Sequence, residues 1–556
     1  MSNYPPRLAR DDIKYIALEG GGGKGNAFVG ALESLAHPDI NVIRNSGYRL
    51  TNIEGVAGAS AGAITALFLA AGFTPFELKT ITELEDFNAF FDGPAPGRVF
   101  RIGGFRNLPP RADPVSVELS GFVREAMALV RDADPRRMAA YVATHVRIRE
   151  FTRALQELHD RLTSIPDSPA DALESALRIR ELIESLTRLE VDDTLAAVAA
   201  VREILTAVPP ALWNHVARMG SHFYNLVRWR IHEAVVSLLF MHVSNFMSIA
   251  RSQLPDETYR QLLNRDAQAT ADAIVHDFGV LTGEAIYDFF RRWLAVARLR
   301  VTNPSHYEGY VPAGTSQEEL PGRFQALKDL VVAGTDPVLR GFRDDNMTFE
   351  VFEREFRMKM AFTGTNLESL TSHVFSGATT PRFYIVDAVR LSMALPYCIF
   401  KPLIIREDDP LLDQVLGPGE SPRERDPVSL NTERHPLIGV WVDGGLFNNM
   451  PSHVFDREPG GGETLSLRLD SSFQMMPESV TNIAEYFQRF PGGVFFGTGE
   501  ALAARSYENK YRAIALDTGD LTLLSFSPSP AQAGRVRRSA IEYVFRYFDF
   551  SVPSDL

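Results

Sequence analysis

Gly58-Ala59-Ser60-Ala61-Gly62 is the stretch on which the reading of this chain turns. Upstream lies Ile53-Glu54-Gly55-Val56-Ala57, short and apolar enough for a buried strand. Downstream, Ala63 to Ala71 has the pattern of a helix, stopped by Gly72. Serine on a sharp strand-to-helix turn is a nucleophile elbow. Glycine two before and two after lets strand and helix come close. The hydroxyl then stands at a helix N-terminus, where the dipole favours developing negative charge. Five such letters recur by chance in a chain rich in Gly and Ser, so the flanking strand and helix carry the argument.

Outward from the elbow, Gly20-Gly21-Gly22-Gly23-Lys24-Gly25 follows an expected strand, Ile13 to Leu18, and precedes an expected helix, Ala27 to Leu35. A glycine loop at a helix N-terminus presents backbone N–H groups to a phosphate or an oxyanion. A P-loop would need Ser or Thr after Gly-Lys, and here Gly25 follows Lys24. A dinucleotide fold would use Gly20, Gly22 and Gly25 together with an acidic residue about twenty positions on. Asp39 has that spacing but lies in His37-Pro38-Asp39-Ile40-Asn41, which reads as a loop. The oxyanion reading is preferred, with donors expected at Gly22, Gly23, Lys24 and Gly25. Nucleotide binding stays open as its rival.

The third element is Gly439-Val440-Trp441-Val442-Asp443-Gly444-Gly445-Leu446-Phe447-Asn448-Asn449-Met450-Pro451. Val440 to Val442 read as a strand ending in Asp443. An aspartate before two glycines is commonly a turn residue. Here it is also a candidate base for Ser60, because Trp441, Val442, Leu446 and Phe447 would desolvate it. None of the three motifs contains a histidine. A Ser-His-Asp triad would have to recruit His453 or His373.

Taken in this order, the three motifs resemble the patatin-like phospholipases. Two further stretches are similar to that family. One is Lys359 to Asn366, like its strand before the substrate-side loop; the other is Asp387 to Pro396, like its helix and proline before the strand leading to the aspartate. Ile514 to Gly519 and the helix after it are similar to the family's closing strand and helix. The resemblance covers roughly residues 10–100 and 345–550. It implies a three-layer α/β/α fold around a mostly parallel sheet. It also implies a Ser-Asp dyad, here Ser60 and Asp443, and an oxyanion loop, here Gly22 to Gly25.

The middle of the chain departs from that pattern. From about 115 to 300 strand signals are nearly absent. Helical spacing runs through Arg147 to Leu158, Ala172 to Ile183, Leu212 to Ile249 and Asp272 to Val301. Residues 106–340 are therefore expected to be a helical insertion, splitting a catalytic domain into 1–105 and 341–556. Arg406 to Pro436 reads as an exposed loop.

With 556 residues, 45% of them hydrophobic, the chain can bury a large core and form more than one unit. A single cysteine, Cys398, excludes an intrachain disulfide. The net charge of −13 gives no overall attraction to nucleic acid or anionic bilayers. No Cys/His/Asp/Glu cluster has metal-ligand spacing, and no cofactor is expected. The N-terminus lacks a basic-then-apolar signal pattern. The most apolar stretch, Ala234 to Ala250, is broken by His242, Asn245 and three serines. From these features the protein is expected in the cytoplasm or at a membrane periphery, with signal-less export open. The expected function is a serine lipid acyl hydrolase acting on phospholipids or lysophospholipids at a membrane surface, without metal or nucleic acid and with an activating protein partner possible. The alternatives are an idle lipid-binding or regulatory module, and an acyltransferase or thioesterase built on the same dyad.

Overall fold

The computed structural model describes residues 7–93, 100–107, 272–415, 435–470, 512–521 and 528–554, apart from scattered positions within those ranges, and a few single positions between 108 and 271. Eight strands make the main sheet. They are β1 (Tyr15–Leu18), β2 (Gly55–Gly58), β3 (Lys359–Asn366), β4 (Thr371–Ser376), β5 (Leu403–Ile405), β6 (Gly439–Asp443), β7 (Thr464–Asp470) and β8 (Ala513–Asp517). Their order is β5-β6-β3-β2-β1-β7-β8, with β4 also paired to β3. The central pairs, β3–β2, β2–β1, β1–β7 and β7–β8, are parallel. The pairs β5–β6, β6–β3 and β3–β4 are antiparallel. This is the expected α/β architecture.

Parallel neighbours need long crossovers, and the longer helices among the described residues flank the strands. They are α1 (Ala27–Ala36), α2 (Ala61–Ala70), α3 (Pro75–Leu84), α4 (Glu284–Thr302), α5 (Leu320–Ala333), α6 (Pro337–Asp344), α7 (Phe349–Phe356), α8 (Ile385–Ser392) and α9 (Pro530–Tyr547). β1 and β2 are buried at every position, so they read as continuous apolar runs rather than alternating ones. α2 is apolar all round because it too is interior. Capping boxes start α3 at Thr74 and α9 at Ser529.

The chain divides into two compact units, Asp113–Ala271 and everything on either side of it. The stretch 272–340, expected inside the insertion, belongs with the sheet. The reason is visible in α4. Its Phe289 lies 5.6 Å, ring to ring, from Phe68 of α2. Trp293 donates to Glu85 at 3.0 Å. The buried Arg300 donates to Gly72 O at 2.7 Å and pairs with Glu77 of α3 at 3.2 Å. Periodicity identifies such a helix but says nothing about which neighbour its apolar face will meet. The helical runs expected between 115 and 271, and the stretch 234–250, lie outside the described residues save for isolated helical positions such as Arg180 and Glu184. Most of the expected loop at 406–436 also lies outside them.

Candidate active site

The site is built by the edges of β3. A strand has two edges. β4 pairs along Ala361 to Asn366 and so occupies one of them. β2 pairs with Lys359 to Phe362, and β6 with Gly364 to Asn366. Both overlap the β4 span, so both must use the other edge. β2 runs parallel to β3 and β6 antiparallel. Their C-terminal ends therefore converge, Gly58 beside Phe362 and Asp443 beside Gly364. The residues just beyond β2 must meet the residue that ends β6. That is how a serine and an aspartate 383 positions apart come together.

Ser60 is the N-cap of α2, at φ 48° and ψ −121°. A non-glycine residue at positive φ costs about 1–3 kcal/mol and persists only where its surroundings dictate it. The glycines on each side show how tight the turn is. A Cβ on Gly58 would lie 2.3 Å from the carbonyl oxygen of Gly62, and one on Gly62 would lie 2.3 Å from that of Leu18. The Ser60 side chain points at β6, and its Oγ donates to Asp443 Oδ2 at 2.7 Å. Its backbone N–H donates to Ser392 Oγ, at the end of α8, at 3.0 Å.

Asp443 is only 3% exposed and Ser60 6%. The second carboxylate oxygen, Oδ1, accepts from the Gly445 N–H at 2.7 Å. The Asp443 N–H donates to Ala394 O at 2.9 Å. Burial pushes the Asp443 carboxyl up from its usual 3.8 to about 7, against the opposing pull of the hydrogen bonds from Ser60 and Gly445. Among the described residues no histidine bonds to either member of the pair. His373 sits on β4, across β3 from Asp443, and packs against Phe375 and Trp441. Burial lowers its pKa to about 4, which keeps it neutral.

The glycine loop passes beside the elbow. It enters a short 3-10 helix, Gly22–Asn26, that runs straight into α1. A Cβ on Gly20 would lie 3.1 Å from Ser60 Cβ, and one on Gly25 would lie 3.0 Å from Ala61 Cβ. The Lys24 N–H donates to Gly21 O at 3.1 Å. Gly22 and Gly23 are the first two residues of the helix, where N–H groups have no partner inside it. Of the four expected donors, the Lys24 amide is thus engaged, whereas those of Gly22 and Gly23 have no acceptor inside the helix. No Ser or Thr follows Lys24, and Asp39 lies in a turn, so neither nucleotide pattern is completed.

Three contacts around this centre are absent from the motif reading. Ser392 holds the Ser60 amide. Asn449 clamps the loop: Gly20 N–H donates to Asn449 O at 3.0 Å, and Asn449 Nδ2 donates back to Gly20 O at 3.0 Å. Glu19 accepts from Asn449 Nδ2 at 3.3 Å and from the Leu469 N–H at 2.5 Å. Burial raises Glu19 to about 7, opposed by the Leu469 N–H, Arg468, Lys24 and Asn449. Asn449 lies within the third motif and Glu19 adjoins the glycine loop, so both were discoverable there. Nothing in local spacing points to Ser392.

Among the described residues, no three His, Cys, Asp or Glu side chains are grouped to hold a metal ion. No helix among them is long and apolar enough to cross a membrane.

Comparison with solved structures finds VipD from Legionella pneumophila, at 14% identity and a TM-score of 0.35, covering 97% of this chain and 67% of that one. Comparison with curated proteins gives no match. The family model for patatin-like phospholipases matches residues 16–211 and 245–456, a span that includes Gly22 to Gly25, Ser60 and Asp443. Since that match takes in well over half its length, the chain belongs to the patatin-like phospholipase family.

Proposed function

We propose that the protein is a serine hydrolase of acyl esters in phospholipids or lysophospholipids, with Ser60 as nucleophile and Asp443 as base. The observation that carries this reading is the buried 2.7 Å hydrogen bond from Ser60 Oγ to Asp443 Oδ2. An aspartate poised near pH 7 is a competent base at physiological pH, where an ordinary one is too weak.

In the first half-reaction Ser60 Oγ attacks the ester carbonyl carbon while Asp443 takes its proton. The carbonyl oxygen becomes an oxyanion facing the amides of Gly22 and Gly23. Collapse of the intermediate breaks the ester C–O bond, and the departing alcohol takes the proton from Asp443. In the second half-reaction Asp443 removes a proton from water, and the resulting hydroxide attacks the acyl-serine. The fatty acid leaves, and the proton returns to Ser60. The steps need no metal and no cofactor.

Incubation of the full-length protein with phosphatidylcholine vesicles, with products identified by mass spectrometry, tests this. The reading predicts free fatty acid and lysophospholipid, and neither from Ser60→Ala. Acyl transfer to an added alcohol without free acid would make the protein an acyltransferase instead. No acyl product on any lipid or thioester would leave the idle lipid-binding module.

A further inference from the structure

The two proposed catalytic residues are tied to one short segment that belongs to neither of their motifs. The Ser60 N–H donates to Ser392 Oγ at 3.0 Å. Two residues further on, Ala394 O accepts from the Asp443 N–H at 2.9 Å. The segment from Ser392 to Ala394 therefore bonds to the backbone of both residues. Its own placement is firm. Ser392 is fully buried. It ends α8, whose buried Arg390 donates to Thr282 O at 3.0 Å and Lys401 O at 2.8 Å. Leu391 fills the space above Gly364, the residue that registers with Asp443: a Cβ on Gly364 would lie 2.3 Å from Leu391 Cδ2.

The Ser60 amide needs such a partner. It sits at the first turn of α2, where the helix offers it no acceptor. It is also buried, and an unpaired buried N–H is costly. Its backbone is held at φ 48°, from which an unrestrained serine would relax. The Ser392 hydroxyl meets both needs. It also occupies the Ser60 N–H, so that amide is not an oxyanion donor.

We infer that Ser392 is the positioning residue of the nucleophile, fixing Ser60 at hydrogen-bonding distance from Asp443 by accepting its backbone N–H. The inference rests on the Ser-Asp reading above.

The test uses the full chain and a soluble short-chain nitrophenyl ester, with Ser60→Ala as reference. Ser392→Ala should lower kcat about 10²-fold, the scale set by a displacement of about 1 Å in a reacting group. KM should stay within about threefold. The ascending limb of the pH–rate profile should move to higher pH, because the Ser60 hydrogen bond is one of the contacts holding Asp443 down. A purely structural role would not move that limb. If Ser392→Ala fails to fold, Ser392→Cys serves in its place. It keeps the volume but offers a weak acceptor, and should give the same upward shift with a smaller loss. Wild-type kcat and an unmoved limb in the Ser392 variant, with Ser60→Ala inactive, would overturn the inference and leave the dyad standing. Activity retained in Ser60→Ala would overturn the dyad and the inference with it.

Discussion

Replacing Asp443 with Asn should stabilise the protein, and by an amount that grows with pH. The carboxyl sits at about 7 in the folded state against 3.8 ordinarily. Folding therefore favours its protonated form. The sign follows from linkage: a group raised in the folded state contributes fully below its unfolded pKa and loses that contribution as pH rises through the folded one. Relative to full protonation, the loss is roughly 1.7 kcal/mol at pH 5 and roughly 4 kcal/mol at pH 8, at 1.36 kcal/mol per pKa unit. Asn keeps the shape and the Gly445 hydrogen bond but carries no charge. Its advantage over Asp should thus increase by about 2.5 kcal/mol between pH 5 and pH 8. Glu19, also raised, is present in both proteins and cancels. Urea unfolding of wild type and Asp443→Asn at the two pH values, followed by a signal from the sheet-containing unit, measures the difference. An advantage for Asn that is the same at both pH values would refute the reasoning, since the carboxylate would then carry no charge penalty in the fold.

Three further outcomes are expected. With a soluble ester, kcat/KM should rise through an apparent pKa near 7 and level off above it, because only ionised Asp443 can accept the proton; a flat profile from pH 5 to 9 would exclude it as the base. Gly62→Ala should lower the melting temperature markedly, at the upper end of the about 1–3 kcal/mol typical of overpacking, since its methyl would sit 2.3 Å and 2.7 Å from the backbone oxygens of Leu18 and Glu19, which cannot rotate aside. A normal melting temperature would mean that the elbow is looser than described. Rates on a soluble ester in excess EDTA and in added calcium should agree within about threefold, a margin that allows for ionic screening. Loss in EDTA rescued only by calcium would contradict a metal-free mechanism.

What the sequence made legible is local. Ser60 stands out because strand, glycines and helix lie within a few residues of it, and Gly58 and Gly62 relieve clashes with near neighbours in space. Asp443 stands out because a strand and a Gly-Gly turn flank it. The strand Lys359–Asn366 was legible through the family resemblance, as was a helix within Asp387 to Pro396, which the structure places at Ile385–Ser392. The pairings were not. That β6 runs antiparallel along the same edge of β3 as β2 is a property of the sheet, not of either segment. Ser392 was invisible for a related reason. It acts across 332 residues through one hydroxyl, and a serine at a helix end carries no local sign of such a partner. The stretch 272–340 misled because an amphipathic helix looks the same whether its apolar face meets an insertion or the sheet. Trp293 and Arg300 reveal the answer only through Glu85, Glu77 and Gly72.

The most direct test of the central claim is a double-mutant cycle on phospholipid hydrolysis with wild type, Ser60→Ala, Asp443→Asn and the double variant. Groups that act as one unit are non-additive, so each single change should cost about 10⁴-fold or more in kcat, and the double variant should be little worse than the poorer single one. A double variant whose loss equals the product of the two single losses would contradict joint action. Near-normal turnover in Asp443→Asn, alongside inactivity in His453→Ala, would replace the dyad with a triad.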